Sequence, residues 1–232
     1  SFVTPLPVPA RTPRKELYAG PVRSRAPRNS IVDRTASSIP VVVRLVGLCC
    51  AHAYPACPRP VSAEELASAE MQRLIDDMIE TMRAANGAGL AAPQVGESVR
   101  IAVIEVREGN PRYPYKPPIP LTVIVNPELS PEGEATFATN EGCLSMPNLR
   151  GDLKRFESVS VGYLDREGKP HSETRRGLTA GTFQHEVDHL DGILFVDRMA
   201  DMSSLSTWEE FERHGKGEFV ARIEALVERV GS

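Results

Sequence analysis

Residues 185–189 read His-Glu-Val-Asp-His and lie inside a run, 179–190, whose pattern predicts a helix. Histidines at positions i and i+4 face the same side of a helix, so both imidazoles can bind one metal ion. Glu186 directly follows the first histidine, which places its carboxylate within reach of a water on that metal. The pattern therefore predicts a metal site on one helix, although the same spacing also arises by coincidence on helix faces.

A catalytic metal site needs a third protein ligand and an open position for water. Downstream, His214 does not stand at a suitable short spacing and lies in a loop of glycines and lysine. Upstream, residues 141–147 read Glu-Gly-Cys-Leu-Ser-Met-Pro and present Cys143 directly after a flexible glycine. Cys143 is therefore the candidate third ligand, and a small buried thiol is the alternative interpretation.

A third segment, residues 87–96, reads Gly-Ala-Gly-Leu-Ala-Ala-Pro-Gln-Val-Gly. Its small residues allow a ligand to approach the backbone closely, and Gln94 adds a neutral amide donor. The alternative interpretation is the end of a helix followed by a turn.

Further patterns place these segments among helices and strands. Ser62 and Glu65 form a capping box, and a stripe of Met, Leu and Ile over 71–82 predicts a long helix. Strands are predicted at 99–106, 121–126, 158–163 and Ile193–Val196, with a Pro-rich loop at 108–120 and a hairpin turn at 165–168. Ser206 with Glu209 predicts a cap before an amphipathic C-terminal helix that contains residues 219–230. Because helices and strands do not alternate regularly, the fold class is α+β.

Composition and charge limit the classes of function. The chain has 232 residues, of which 41% are hydrophobic and 25% charged, and no apolar run is long enough to span a membrane. Residues 1–40 carry seven basic and two acidic side chains, a net charge of +5, which leaves −9 for the rest of a chain whose total is −4. An acidic domain is a poor candidate for direct nucleic-acid reading, and the basic, Pro-rich tail is predicted to be disordered.

The cysteine spacing predicts a reducing compartment. Cys49, Cys50 and Cys57 cluster near His52, whereas Cys143 stands alone, unlike a secreted disulfide scaffold. Ordinary thiols are favoured over a structural metal in the cluster, because vicinal cysteines rarely ligate one ion well. We therefore expect a cytoplasmic protein. The first 40 residues are also rich in Arg and poor in acid, as transit peptides are, which leaves organellar import open.

Together, residues 87–96, 141–145 and 185–189 resemble the signatures GxGxAAxQxG, EGCxS and HExxH of the peptide deformylases. The resemblance extends from Ser62 to Met199 and implies a single domain with small antiparallel sheets around a central helix bearing the HExxH motif, plus a C-terminal helix. The family's usual opening segment, Gly-Asp/His-Pro-x-Leu-Arg, is not found in residues 45–55. The chain is thus divided into a tail (1–40), an uncertain segment (41–61), a catalytic domain (62–199) and a helical extension (200–232).

The resemblance also implies the residues' roles. Cys143, His185 and His189 would bind one divalent metal, natively Fe²⁺, with Zn²⁺, Ni²⁺ or Co²⁺ as replacements. Glu186 would act as general base and then acid, while Gln94 and the backbone N–H of Leu144 would form the oxyanion hole. The implied reaction removes the N-formyl group from the initiator methionine of nascent polypeptides and releases formate by attack of a metal-bound hydroxide.

Substrate contacts follow less directly. Gly89 could lend backbone groups to an extended peptide, and Arg150 could hold a peptide carbonyl or carboxylate, with an exposed structural arginine as the alternative. Glu141 is expected to orient its loop. The expected partners are N-formylmethionyl nascent peptides, with transient ribosome contact.

Two other functions stay open. A zinc peptidase of the HExxH type would use the same helix to cut a different bond, although Cys143 and Gln94 argue against it. A catalytically idle module that binds the ribosome is disfavoured because every implied catalytic residue is present. The segment from Asp201 onward has seven acidic and four basic residues, a net charge of −3, which also opposes binding of its helix to rRNA.

Overall fold

The computed structural model describes residues 58–110 and 115–232. The predicted tail (1–40), residues 41–57 of the uncertain segment and the cluster of Cys49, Cys50, His52 and Cys57 lie outside the described residues. Part of the predicted Pro-rich loop also lies outside them. The predicted division of the chain into four parts stays a prediction.

Six α-helices and eight strands are found in the described residues. The helices are α1 (Ala63–Leu66), α2 (Ala69–Ala84), α3 (Gly177–Leu190), α4 (Phe195–Arg198), α5 (Trp208–Glu210) and α6 (Lys216–Val230). The strands are β1 (Gly89–Ala91), β2 (Ile101–Val106), β3 (Ile119–Pro131), β4 (Thr136–Cys143), β5 (Met146–Phe156), β6 (Ser158–Leu164), β7 (Pro170–Arg176) and β8 (Ser206–Thr207). None of the described helices is long and apolar enough to cross a membrane.

The larger sheet packs against helix α2 on one face and helix α3 on the other. Its five strands run in the order β1-β2-β3-β6-β7, and each neighbouring pair is antiparallel. On β2, Ile101 and Val103 pack with the Met and Ile stripe of α2. The alternate residues Ala102 and Ile104 pack with Phe183 of α3. Because successive side chains of a strand point to opposite faces, the Val- and Ile-rich strands are buried on both sides. This agrees with the predicted strands at 99–106 and 121–126.

The second sheet carries the cysteine motif. Its strands run in the order β4-β5-β8, and β4 and β5 form a hairpin with an irregularity in register between Gly142 and Cys143. The sequence pattern did not predict this hairpin. Its buried positions include Arg150, Arg155 and Asn140, so hydrophobic alternation, the usual signal of a half-buried strand, is weak here. The helix α3 contacts strands of both sheets, which confirms the predicted α+β fold around a central helix.

Three local predictions are wrong. His214 does not lie in a loop, because residues Phe211–Gly215 form a helical turn that leads directly into α6. Ile193–Val196 is not a strand, because the chain instead enters α4, whose Asp197 side chain accepts a hydrogen bond from Leu194 N at 2.8 Å. The cap predicted at Ser206 lies one residue later, where the Thr207 hydroxyl accepts from Glu210 N. The C-terminal helix itself is confirmed as α6, which packs Phe219, Ile223 and Leu226 into a small apolar cluster.

Candidate active site

The predicted metal ligands converge although they come from two different elements. Cys143 ends β4, whereas His185 and His189 lie one turn apart on α3. One ligand atom from each residue lies within 4.8 Å of the other two, and Cys143 Sγ is 3.1 Å from His189 Nε2. The helix therefore supplies two candidate ligands from one face, and the β4–β5 hairpin brings the third.

A buried ion pair holds the outer side of His185. The Glu141 carboxylate accepts from His185 Nδ1 at 2.8 Å and from two nitrogens of Arg155 at 2.8 Å each. Burial opposes ionisation of Glu141, but Arg155 and His185 hold the pKa of its carboxyl well below the ordinary value. An anionic partner on Nδ1 fixes the ring orientation of a ligating histidine. Glu141 thus holds the orientation of His185, and it does so from strand β4 and not from a loop as predicted.

Asp188 continues this network on the far side of Arg155. It accepts from Arg155 Nη1 at 2.5 Å and from Arg198 Nη2 at 2.6 Å. Sequence reasoning missed the roles of Arg155 and Asp188. The sequence signal for this pair was Asp188, an acidic residue in a helix whose other residues are largely apolar or small. A buried charge of this kind requires a cationic partner from elsewhere in the chain.

Glu186 is buried at the cluster and has an unsatisfied oxygen. Its Oε2 atom has no hydrogen-bond partner among the residues that the structure describes. Burial raises the pKa of its carboxyl above the ordinary value, although His185 and His189 oppose this. A buried acceptor without a donor is costly, so it marks a place where a ligand or water completes the site.

Gly89 leaves the space that the Glu186 carboxylate occupies. A Cβ added at Gly89 would lie 2.3 Å from Glu186 Oε1 and 2.4 Å from its Cδ. We expect Gly89→Ala to displace the carboxylate and lower kcat at least tenfold, because misplacing a reacting group by about 1 Å can cost about 10² in rate. Turnover measurements give kcat, and thermal denaturation shows that the fold persists.

Gly217→Ala is the matched control for this prediction. A Cβ at Gly217, on α6, meets no atom within 4 Å. The same Gly-to-Ala change should therefore leave kcat unaltered. Equal kcat values for the two variants would show that the contact between Gly89 and Glu186 has no bearing on turnover.

Gln94 is held against the cluster by both ends of its amide. Its Oε1 accepts from Ala91 N at 2.8 Å, while Nε2 lies 3.1 Å from Ser145 Oγ and 3.6 Å from Cys143 Sγ. The Ser145 N–H also points at the thiol sulfur, at 3.3 Å. Sequence reasoning gave Ser145 no role. Because the carbonyl end of Gln94 is fixed, its amide donors face the ligand cluster.

The cleft around the cluster contains the other predicted site residues. Gly89, Leu144 and Arg150 all line it, together with Lys116, whose Nζ donates to Thr182 Oγ1 at 3.1 Å. Arg150 is only 1% exposed, so the alternative of an exposed structural arginine is wrong. Its Nε and Nη2 donate to Asn140, and this bonding draws the guanidinium into the wall of the cleft.

The donor set fits a divalent transition metal. Burial disfavours the thiolate, yet His189 and His185 hold the pKa of the Cys143 thiol well below its ordinary value. Burial likewise opposes protonation of His185, but Cys143 and Glu141 raise the pKa of its imidazole well above the ordinary value. One sulfur and two imidazole nitrogens suit zinc or ferrous iron, and such a set of three ligands leaves a position open.

Comparison with known proteins agrees with this geometry. A family model described as polypeptide deformylase matches residues 58–204. The chain belongs to this family. Peptide deformylase 2 of Nostoc sp. is 41% identical over 149 residues, which cover 64% of this chain and 83% of that protein. A peptide deformylase of Leptospira biflexa is 38% identical over 156 residues, covering 67% of this chain and 87% of its own.

Solved peptide deformylases share the fold as well. A crystal structure of a class I type b peptide deformylase from Acinetobacter baumannii, described as bound to Met-Ala-Ser, matches with a TM-score of 0.59 and 44% identity. The match covers 62% of this chain and 89% of that one. The resemblance drawn from the three motifs is therefore confirmed, and the chain is an enzyme of the peptide deformylase type, a metal-dependent hydrolase.

Proposed function

We propose that this chain removes the N-formyl group from the initiator methionine of nascent polypeptides and releases formate. The observation that carries the proposal is the convergence of Cys143, His185 and His189 beside the buried Glu186 carboxylate. The names of its relatives support the reaction, and the Met-Ala-Ser bound to one of them has the form of a deformylated product.

Cys143, His185 and His189 are the residues that would hold the metal, and Fe²⁺ is the proposed native ion. Zn²⁺, Ni²⁺ and Co²⁺ suit the same ligands, since all accept sulfur and imidazole donors. A divalent metal bound there supplies Lewis-acid activation of water near neutral pH. Glu141, paired with Arg155, holds the His185 ring through the Nδ1 contact, which would present the other ring nitrogen to a bound metal.

Glu186 is proposed to move the proton. A water hydroxyl adds to the formyl carbon, the C–N bond breaks, and the carboxylate carries the water proton to the leaving methionine nitrogen. The raised pKa of Glu186 suits both steps, because the pKa of its carboxyl is then closer to neutral pH than the pKa of an exposed glutamate is. Gln94 Nε2 and the Leu144 N–H are proposed to donate to the oxygen that becomes negatively charged, a contribution of about 3–4 kcal/mol per donor in known cases.

The peptide is proposed to bind along β1. Among the strands of the described residues, β1 is at the edge of the larger sheet and pairs only with β2. An extended peptide can therefore add as a further strand, with Gly89 supplying backbone groups beside Glu186. Arg150, which also lines the cleft, is the proposed donor to a peptide carbonyl or carboxylate.

The proposed cellular partners are N-formylmethionyl nascent peptides in the cytoplasm. Transient contact with the ribosome and the absence of direct nucleic-acid reading stay predictions. The net charge of −3 in the segment from Asp201 onward opposes contact between its helix and rRNA phosphates.

Formate release tests the proposal. Protein prepared anaerobically should release formate from formyl-Met-Ala-Ser, contain about one metal ion per chain, and lose turnover after chelation. The chain should not cut blocked internal peptides, because Gln94 and Cys143 distinguish this site from that of an HExxH zinc peptidase. Cleavage of such peptides without formate release would favour the peptidase, and metal binding without any turnover would favour the idle module.

A further inference from the structure

The C-terminal segment, residues 205–232, lies beyond the residues 58–204 that the family model matches. It nevertheless contributes to the cleft, because Phe219 of α6 is one of the lining residues. At its start, β8 pairs with β5 and places Ser206 opposite Arg150. The segment therefore lies directly on the strand that carries a proposed substrate contact.

Two aromatic rings of this segment hold the Arg150 guanidinium. The Cζ atom lies 4.3 Å from the ring centroid of Trp208 and 4.3 Å from that of Phe211. Asn140 also binds the guanidinium, since its side-chain and main-chain oxygens accept from Nε at 2.7 Å and from Nη2 at 2.8 Å. Aromatic faces attract a guanidinium and fix the plane of its fork. The orientation of Arg150 thus depends on residues from the C-terminal segment.

The third guanidinium nitrogen of Arg150, Nη1, can donate to an acceptor other than Asn140. Nη1 is buried and has no hydrogen-bond partner among the residues described. It lies beside Gly142, next to the ligand Cys143, since a Cβ added at Gly142 would be 3.7 Å from it. A buried N–H of a group that is always charged is costly when unpaired. A carbonyl oxygen of a bound peptide would satisfy it.

Resting on the proposed deformylase activity, we propose that Trp208 and Phe211 are positioning residues for peptide binding. They hold Arg150 so that Nη1 donates to a main-chain carbonyl beyond the initiator methionine. A side chain fixed before binding loses little conformational entropy on binding, which strengthens affinity. The effect falls on KM for peptides that extend past the methionine and not on the proton transfer by Glu186.

The test compares a tripeptide with a truncated substrate. Trp208→Leu keeps apolar bulk but removes the aromatic face, whereas Trp208→Phe keeps a face. We expect the KM ratio between formyl-Met-Ala-Ser and formyl-Met amide to rise about tenfold in Trp208→Leu, equivalent to about 1.4 kcal/mol. Trp208→Phe should keep the KM ratio close to that of the unaltered protein. Glu209→Gln, at an exposed neighbouring position, should not change the ratio.

A double-mutant cycle with Arg150→Ala shows whether Trp208 acts through the guanidinium. If it does, Trp208→Leu adds no further change to the KM ratio once Arg150 is absent. Additive effects, or equal losses on both substrates with a lowered melting temperature, would mean that the aromatic residues only support the fold.

Fluorescence gives a readout that needs no turnover. The chain contains a single tryptophan, so its emission reports on Trp208 alone. Titration of the unaltered protein with Met-Ala-Ser should shift this emission, whereas methionine amide should not, and Arg150→Ala should abolish the shift. No shift with the tripeptide would overturn the inference. Absence of formate release by the unaltered protein from either substrate would instead overturn the proposed function.

Discussion

A Glu186→Gln variant is expected to keep its fold and its metal while losing about three orders of magnitude in kcat. The amide has the same shape as the carboxylate but cannot take a proton from water, and general acid–base catalysis contributes about 10²–10⁴ in rate. The metal should remain, because Glu186 is not one of the three residues proposed to bind it. Formate release and metal content, measured on the same sample, separate the two effects.

The same variant should be at least as stable as the unaltered protein. The Glu186 carboxylate is buried, and its Oε2 has no hydrogen-bond partner among the described residues, so in the metal-free protein it opposes folding. Replacing the carboxylate with a neutral amide removes the free-energy cost of burying a charge. Such a gain in stability is expected where a catalytic residue is maintained at the expense of stability. Thermal denaturation of the metal-free protein measures the difference.

Glu224→Gln is the matched control for this variant. Glu224 is exposed on α6, so its neutralisation should change neither kcat nor melting temperature by more than the small effects typical of surface positions. A Glu186→Gln protein with full turnover would contradict the role of Glu186 as the general base. A protein that lost its metal would show that Glu186 supports the ligands and does not only transfer the proton.

The centre of the site could be predicted from sequence because its signals are local. His185, Glu186 and His189 lie within two turns of one helix, and their spacing alone specifies a common face. The Val- and Ile-rich strands β2 and β3 were similarly accessible, since fully buried strands read as apolar runs. What local spacing could not give was the third ligand, which approaches from a hairpin 42 residues before the helix motif.

The β4–β5 hairpin and its ion pairs escaped prediction for one physical reason. Inward-facing positions of this hairpin hold Arg150 and Arg155, and charged residues are normally found outside. Arg150 bonds to Asn140 and Arg155 pairs with Glu141 within the hairpin itself. The second partner of Arg155, Asp188, lies 33 residues away, so no short window of sequence contains that pair. The wrong strand at Ile193–Val196 has a different cause, because β-branched composition was outweighed there by the cap that Asp197 provides for α4.

Arg155→Met is expected to have the largest effect on stability. The Arg155 side chain is 3% exposed and pairs with both Glu141 and Asp188. Its removal leaves the buried Glu141 carboxylate without an arginine and leaves Asp188 with Arg198 alone. Breaking a buried ion pair by removing one partner costs about 3–5 kcal/mol. For a chain of this size, that corresponds to a fall of roughly 10 °C in melting temperature.

The same substitution should also weaken metal binding. Without Arg155, the Glu141 carboxylate loses two of its hydrogen bonds and no longer fixes His185 through Nδ1. Loss of an outer partner of a metal ligand typically lowers metal affinity about 10–100-fold. Dialysis against a competing chelator, followed by metal analysis, measures this loss independently of turnover.

Arg198→Met provides the matched control, because Arg198 contacts the same Asp188 carboxylate from the surface. The Arg198 side chain is 46% exposed, and exposed ion pairs contribute about 0–1 kcal/mol, so this variant should melt within a few degrees of the unaltered protein and retain its metal. Both variants remove one cation from the same Asp188 carboxylate. The expected difference in melting temperature between them therefore comes from the burial of Arg155 compared with the exposure of Arg198. Equal losses in the two variants would mean that Asp188 matters more than the link through Arg155 to Glu141. A stable Arg155→Met protein with weakened metal binding would instead assign Arg155 to the orientation of His185 and not to the fold.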